Sequence, residues 1–386
     1  MNHNLELVSV IGDRIANFPQ HQITFAAYMD LVLYHPQHGY YASNAERIGT
    51  GGDFLTSPYL AADFGEMLTI QLYQIWQILG EAQQFKIVEM GAGQGLLVAQ
   101  ILDYAHRVYP DFFRSIDYII IEAAPAMIVA QQARLSDLPV RWCSWEDIPD
   151  RSIVGCFLSN ELIDAFPVHQ VVVVDNKLQE VHVTFDRDGL VFGETIDELS
   201  TARLETYWHL NQIDLLSDKY PDRYRTEVNL AALDWLELVF KKLQRGYIIS
   251  IDYGYSAARY YNPMRSQGTL QCYYQHAHHN DPYINIGNQD LTAHVDFTAL
   301  QQQGELFGLQ TVGFTQQGLF LMALGLGARI AAISTSGGDI QSLLQRRQNL
   351  HQLIEPMGLG KFGVLIQSQG LTPAQQSILL SGLSIS

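Results

Sequence analysis

The chain has 386 residues, 47% of them hydrophobic, enough to bury a substantial core in more than one folding unit. Asp and Glu number 40 against 23 Lys and Arg, and the resulting net charge of −17 disfavours a nucleic-acid partner held through its phosphates. Residues 1–6 lack the basic-then-apolar pattern of a secretory signal and the Arg-rich, acid-poor character of a transit peptide. The most apolar stretch, residues 319–333, is interrupted by Gly325, Gly327 and Arg329 and is shorter than the ~20 residues that cross a bilayer. Three cysteines, Cys143, Cys156 and Cys272, fit buried free thiols in a reducing compartment. A soluble, cytoplasmic protein without membrane insertion is expected.

In chain order, residues 1–80 are expected to form a helical extension, with helices over 23–33 and 64–79 and a glycine-rich loop over 49–58 between them. Strands then alternate with helices: strand 86–90, a helix to 108, strand 118–122, a helix to 135, strand 140–143 and strand 153–159. That alternation is the signature of a parallel sheet covered on both faces. The rhythm changes at Val168, where strands 171–174, 181–185 and 190–192 read as antiparallel hairpins. Helices over 196–216 and 228–243 follow, and residues 246–253 restore a buried strand. A helix at 296–307, a strand at 311–314, a helix at 340–354 and a strand at 362–367 complete the series. The expected fold is a doubly wound, Rossmann-like α/β domain formed by residues 81–167 and 246–386. It carries an N-terminal extension (1–80) and an inserted hairpin and helical subdomain (168–245), the latter a candidate homodimer interface or substrate lid.

The most informative segment is Phe85-Lys-Ile-Val-Glu89-Met-Gly91-Ala-Gly93-Gln-Gly95-Leu96. A buried strand, a tight glycine turn and a helix start build a cradle in which backbone N–H groups face a ligand. Gly91, Gly93 and Gly95 alternate, which is not the G-x-G-x-x-G spacing of dinucleotide sites. Glu89 just before them would repel a pyrophosphate but can accept from an ammonium. S-adenosyl-L-methionine carries an ammonium and no phosphate, so the charge logic favours it over NAD.

Ligands of open α/β sheets bind at the carboxyl ends of the strands, so the residues there carry the argument. The second strand ends at Glu122, placed to take both hydroxyls of a ribose. The third is followed by Ser144-Trp145-Glu146-Asp147, an aromatic face and an acceptor for an adenine ring. The fourth is followed by Asn160-Glu161-Leu162-Ile163-Asp164, two carboxylates and an amide beside the reactive end of such a cofactor. The fifth ends at Asp252. The cluster His276, His278, His279 matches no standard zinc spacing, and no metal is expected. The run 271–276 reads instead as strand and loop shaping a substrate mouth.

These segments, together with Gly52-Asp-Phe-Leu-Thr-Ser-Pro58, Ile251-Asp-Tyr-Gly254 and Gln289-Asp-Leu-Thr-Ala-His-Val-Asp-Phe297, resemble successive motifs of the MidA family, in the same order from about residue 25 to 320. The resemblance implies a class I methyltransferase fold, S-adenosylmethionine as cofactor, and methylation of an arginine on a protein substrate. By likeness to the mitochondrial complex I assembly methyltransferase of that family, the target is a subunit of a complex I-like enzyme. It also places Asp53, Phe54 and Thr56 beside the cofactor. Methyl transfer is an in-line displacement at a sulfonium carbon, so the enzyme chiefly positions the acceptor. A guanidinium is a weak nucleophile that a carboxylate pair can hold bidentately. Glu161 and Asp164 with Asn160 are the leading candidates for this; Asp53, Asp252, His294 and Asp296 rank second, His294 as a proton acceptor. Two other classes fit less well: an NAD-dependent oxidoreductase, opposed by Glu89 and the glycine spacing, and a non-catalytic assembly factor, opposed by the joint presence of Glu89, Glu122, Asn160 and Glu161.

Overall fold

The computed structural model describes residues 3–43, 56–275, 277–334 and 339–384. Its centre is a seven-stranded sheet, with strands numbered here β1 (Phe85–Met90), β2 (Ile116–Ile121), β3 (Val140–Trp142), β4 (Ile153–Asn160), β5 (Leu243–Asp252), β6 (Gln310–Gln316) and β7 (Gly363–Gln369). Their order across the sheet is 6-7-5-4-1-2-3. The first five run parallel, as the sequence alternation implies, whereas β7 lies antiparallel between β5 and β6. Chain order reverses between β1 and β4, which pair Met90 with Ser159, so a crevice opens beyond these two strand ends.

Both faces of the sheet are covered, which is why β1, β2, β4 and β5 are almost continuous apolar runs. Phe85 and Ile87 pack with Phe64, Leu68 and Leu72 of helix Asp63–Ile78 and with Val98 and Ile101 of helix Leu96–Val108. On the opposite face, Val88 and Ile119 pack with Trp235, Leu236 and Val239 of helix Leu230–Lys242 and with Leu300 of helix Phe297–Phe307. The helix read within the inserted segment therefore packs on the central sheet itself.

A second sheet is built from His169–Val174, Lys177–Asp186, Val191–Asp197, Arg225–Val228 and a short N-terminal strand, Ile23–Thr24. Three sequence expectations change here, and a fourth, the strand after Gln271, is met. Ile23 and Thr24 are not helical: they pair with Val183 and His182, and the helix runs over Phe25–Tyr34 with Thr24 as its cap. The helix expected over 196–216 is confined to Arg203–Asn211, because Ile196 pairs with Val181 in a hairpin. Val228 ends a strand paired with His169, and the next helix starts at Leu230 after Asn229, whose side chain accepts from Ala232 N. The run after Gln271 forms Gln271–Tyr274, paired with both Ala277–His279 and Asp290–Thr292. Leu7, Ile11, Phe25, Tyr28 and Met29 share one core with Val183, Phe192, Cys272 and Leu291, joining the N-terminal helices to this second sheet and ladder.

Candidate functional site

One cavity of about 420 Å³ occupies the crevice beyond β1 and β4. Its walls bring together Glu89, Gly91, Gly93, Glu122, Trp145, Asn160, Glu161 and Thr56, residues spread over a hundred positions of sequence. Asp53 and Phe54 lie outside the described residues.

The turn after β1 has Gly91 at φ +65°, Gly93 at +52° and Gly95 at +78°, all left-handed. A Cβ on Gly91 would stand 2.7 Å from Leu162 Cδ1, so this glycine lets the two strand ends close on each other. Gly91→Ala is expected to lower stability by roughly 1–2 kcal/mol from backbone strain alone, read as a shift in the denaturation midpoint. A Cβ on Gly93 would meet nothing within 4 Å, so that glycine serves conformation and access rather than packing. Gly95 caps the helix Leu96–Val108 and does not line the cavity, whereas Leu96 and Leu97 do.

Glu89 is 3% exposed and accepts a 2.5 Å hydrogen bond from the Tyr118 hydroxyl. No basic side chain among the described residues pairs with it. Burial pushes its carboxyl up to about 7, against which the Tyr118 bond works. A carboxylate held in a cavity without a cation is what an ammonium-bearing ligand satisfies. Tyr118 escaped the sequence reading, although a tyrosine in the run Ile116-Asp-Tyr-Ile-Ile-Ile has to find a partner for its hydroxyl once buried.

Glu122, half-buried, accepts from Ala124 N and from Gln131 Nε2, each at 3.0 Å. Gln131 also donates to Gly93 O at 2.8 Å and accepts from Trp142 Nε1 at 2.8 Å, tying the glycine turn, β3 and Glu122 into one frame. Nothing in the sequence marks Gln131, because its role depends on three partners from separate elements. Trp145 stacks on Phe157 with ring centroids 6.2 Å apart and planes inclined by 22°, its other side towards the cavity. Glu146 is exposed and lines no part of it.

The turn after β4 carries the acids. Glu161 is a non-glycine residue at φ +52°, a conformation that costs about 1–2 kcal/mol and points to a constrained functional position. Its Oε1 accepts from Asn160 Nδ2 at 3.1 Å. Burial, and then the neighbouring Asp164, push its carboxyl up to about 8. Asp164 is 4% exposed, is pushed up to about 6 by burial, and is hydrogen-bonded by the Tyr253 hydroxyl. Its Oδ1 and Asn160 Oδ1 are buried without a hydrogen-bond partner among the described residues. Asp164 stands behind the cavity wall formed by Glu161, Leu162 and Ala165.

The roof comes from a segment the sequence reading left without a role. Tyr34, Tyr40, Tyr41 and Tyr59 face the cavity. Tyr34 donates to Ala165 O at 3.0 Å and Tyr41 to Asp290 Oδ1 at 3.1 Å, so the roof is bonded to the acid turn and to the second ladder. Tyr273 of that ladder lies within electrostatic reach of Asp164, Asp290 and Glu161.

Three second-rank candidates are corrected. His294 does not line the cavity: it lies between Tyr255 and Tyr253, at ring distances of 5.0 and 5.1 Å. Burial, then Arg265 and Lys361, push its imidazole down to about 4, too weakly basic to collect a proton at neutral pH. Asp296 is a helix cap, accepting from Thr298 N and Ala299 N on one oxygen and from Tyr207 and Asn211 on the other. Asp252 is buried behind the turn, not in the cavity.

The arrangement matches known proteins along most of its length. Residues 67–315 match the model of a family described as "Putative S-adenosyl-L-methionine-dependent methyltransferase". The chain is 29% identical over 383 residues to a mitochondrial protein arginine methyltransferase NDUFAF7 homologue of Drosophila melanogaster, covering 91% of this chain and 83% of that one. To the human NDUFAF7 it is 27% identical over 377 residues, covering 88% and 78%. A crystal structure of a Burkholderia thailandensis protein bound to S-adenosyl-homocysteine superposes with a TM-score of 0.84 at 29% identity, covering 98% of this chain and 94% of the other. The cavity between Glu89 and Glu161 thus sits in a fold seen with the demethylated cofactor in place, and the chain belongs to the MidA-like family as a class I S-adenosylmethionine-dependent methyltransferase.

Proposed function

We propose that this methyltransferase acts on an arginine side chain of a protein. One observation carries the reading: Glu161, Asp164 and Asp252 gather at one turn with no Lys, Arg or His paired to them among the described residues. Such a group asks for a cation from outside, and a guanidinium stays charged at any physiological pH. When bound, S-adenosylmethionine supplies a methyl group on a positively charged sulfur. Glu89 and the N–H groups of the glycine turn orient its amino-acid end, and Glu122, framed by Gln131, takes the ribose hydroxyls. Glu161, at the cavity wall, holds the acceptor guanidinium, with Asp164 behind it adding negative charge. As the new N–C bond forms, the S–C bond to the methyl group breaks and S-adenosylhomocysteine leaves; the attacking nitrogen gives up one proton, for which Glu161, the acid that lines the cavity, is the acceptor.

The relatives named above are protein arginine methyltransferases, which supports the substrate class. The motif resemblance extends it to a subunit of a respiratory complex I-like enzyme in the cytoplasmic setting expected for this chain. The test is mass spectrometry of methylated arginines in cells with and without the gene. A methylarginine peptide that disappears with the gene and returns with the wild-type chain is expected. Methylation reappearing only on lysine, or on no protein, would refute the arginine reading.

A further inference from the structure

The acid turn is gripped on every side by groups that do not reach the cavity. Asp252, at the end of β5, is 1% exposed. Its Oδ2 accepts from Ile163 N at 2.9 Å and Asp164 N at 3.3 Å, and its Oδ1 from Tyr253 N at 2.8 Å. One residue earlier, Ile251 O accepts from Glu161 N at 2.9 Å. The carbonyl side of the turn is held as firmly: Asn229 Nδ2 donates to Ile163 O at 3.1 Å, and Ala293 N to Asp164 O at 2.9 Å. Asn229 performs this while its Oδ1 caps the helix Leu230–Lys242 through Ala232 N at 2.8 Å.

Left to itself, the turn would relax, because Glu161 occupies a backbone region that L residues avoid. A carboxylate accepting three backbone N–H bonds is a strong local anchor. Burial, then Asp164 and Glu161, push its own carboxyl well above the usual carboxylate range, and Tyr253 N bonds it from beside the turn. The three acids compete for the same charge, and removing one of them leaves the other two easier to ionise.

We infer that Asp252 is a positioning residue for methyl transfer: its carboxyl group fixes the Asn160–Asp164 turn so that Glu161, backed by Asp164, presents its oxygens to the acceptor nitrogen. This rests on the reading of the turn as the acceptor site. Reorienting a carboxylate by an ångström costs about a hundredfold in a reaction that depends on alignment. Asp252→Asn keeps the shape but replaces one accepting oxygen with an amide that meets backbone N–H groups head-on.

The experiment follows tritium transfer from labelled S-adenosylmethionine into a lysate of cells lacking this gene, with calorimetric cofactor binding and melting curves for each variant. Asp252→Asn is expected to cut transfer at saturating cofactor about a hundredfold, to hold the cofactor dissociation constant within about threefold, and to move the acid limb of the pH–rate profile to lower pH. Asn229→Asp keeps the helix cap but withdraws the donor from Ile163 O, and is expected to cost about tenfold in rate. Asp252→Asn that folds and transfers within about twofold of wild type with an unmoved pH profile overturns the inference. Should Asp252→Asn fail to fold, Asn229→Asp decides by the same rate threshold. Glu161→Gln separates the two failures: full activity in that variant refutes the acceptor site itself, whereas a dead Glu161→Gln beside an active Asp252→Asn refutes only the positioning role.

Discussion

Replacing Glu161 by Gln is expected to abolish methyl transfer to within detection, a loss of at least ~100-fold, while cofactor affinity changes by no more than about threefold. The side chain stands at the wall of the cavity, next to Asn160, and its residue is held in a left-handed backbone conformation. Glutamine preserves the shape and can keep a bond to Asn160, but it cannot neutralise a guanidinium. The fold should not suffer. With its carboxyl pushed up to about 8, Glu161 is largely protonated at neutral pH in the free protein, and the neutral amide mimics that form. The expected result is an inactive protein with an unchanged or slightly raised melting temperature. A carboxylate needed only for structure would instead give a destabilised protein with residual activity proportional to the folded fraction. Transfer assays with labelled cofactor and thermal melts on the same preparation distinguish the two.

The second large effect concerns Glu89. Its carboxyl is pushed up to about 7, well above the 4.5 of a free glutamate. In the unliganded protein, folded and unfolded chains both hold this proton below pH 4.5. Between 4.5 and about 7 the unfolded chain releases it and the folded one does not, so stability falls as pH rises through this window and levels off above it. An ammonium in the cavity reverses the preference by stabilising the anion. Cofactor affinity should therefore rise by up to tenfold per pH unit below pH 7 and flatten above it, with up to one proton released on binding at pH 6. Glu89→Gln should weaken binding by about 10- to 100-fold and remove this pH dependence. Calorimetry in two buffers of different ionisation enthalpy reads both the affinity and the proton count. An affinity that is flat with pH in the wild-type protein would break the link between Glu89 and the cofactor amine.

The central sheet was legible because buried parallel strands announce themselves. Residues 86–90, 153–159 and 246–253 are apolar runs on a sheet covered on both sides, each closed by a glycine turn or an acid. That also placed Glu89, Glu122 and the Asn160–Asp164 turn at one end of the sheet, since strand ends share an edge once the strands are parallel. What stayed hidden was defined from a distance. Ile23–Thr24 is two residues long and becomes a strand only through Val183 and His182, some 160 positions away. Arg225–Val228 needs His169–Val174, and its last residue blends into the helical pattern that follows. Side chains that orient others were equally silent: Tyr118 and Gln131 look like ordinary core and helix residues until their partners are in place. His294 misled for the opposite reason. Its chemistry suggested a base, but it lies outside the cavity between two tyrosine rings, where burial, and then nearby cations, make it hard to protonate.

The strand formed by Ile23 and Thr24 fastens the helix that carries Tyr34, and with it part of the cavity's ceiling, to the hairpin sheet rather than to the sheet that bears Glu89 and the Asn160–Asp164 turn. The crevice is therefore closed by material belonging to a neighbouring body, with the Tyr34 hydroxyl on Ala165 O as the latch between them and Tyr41 fastened to Asp290 on the outer side. Displacing the hairpin sheet would therefore be felt first at that latch, and the ceiling of the chamber has no hinge of its own.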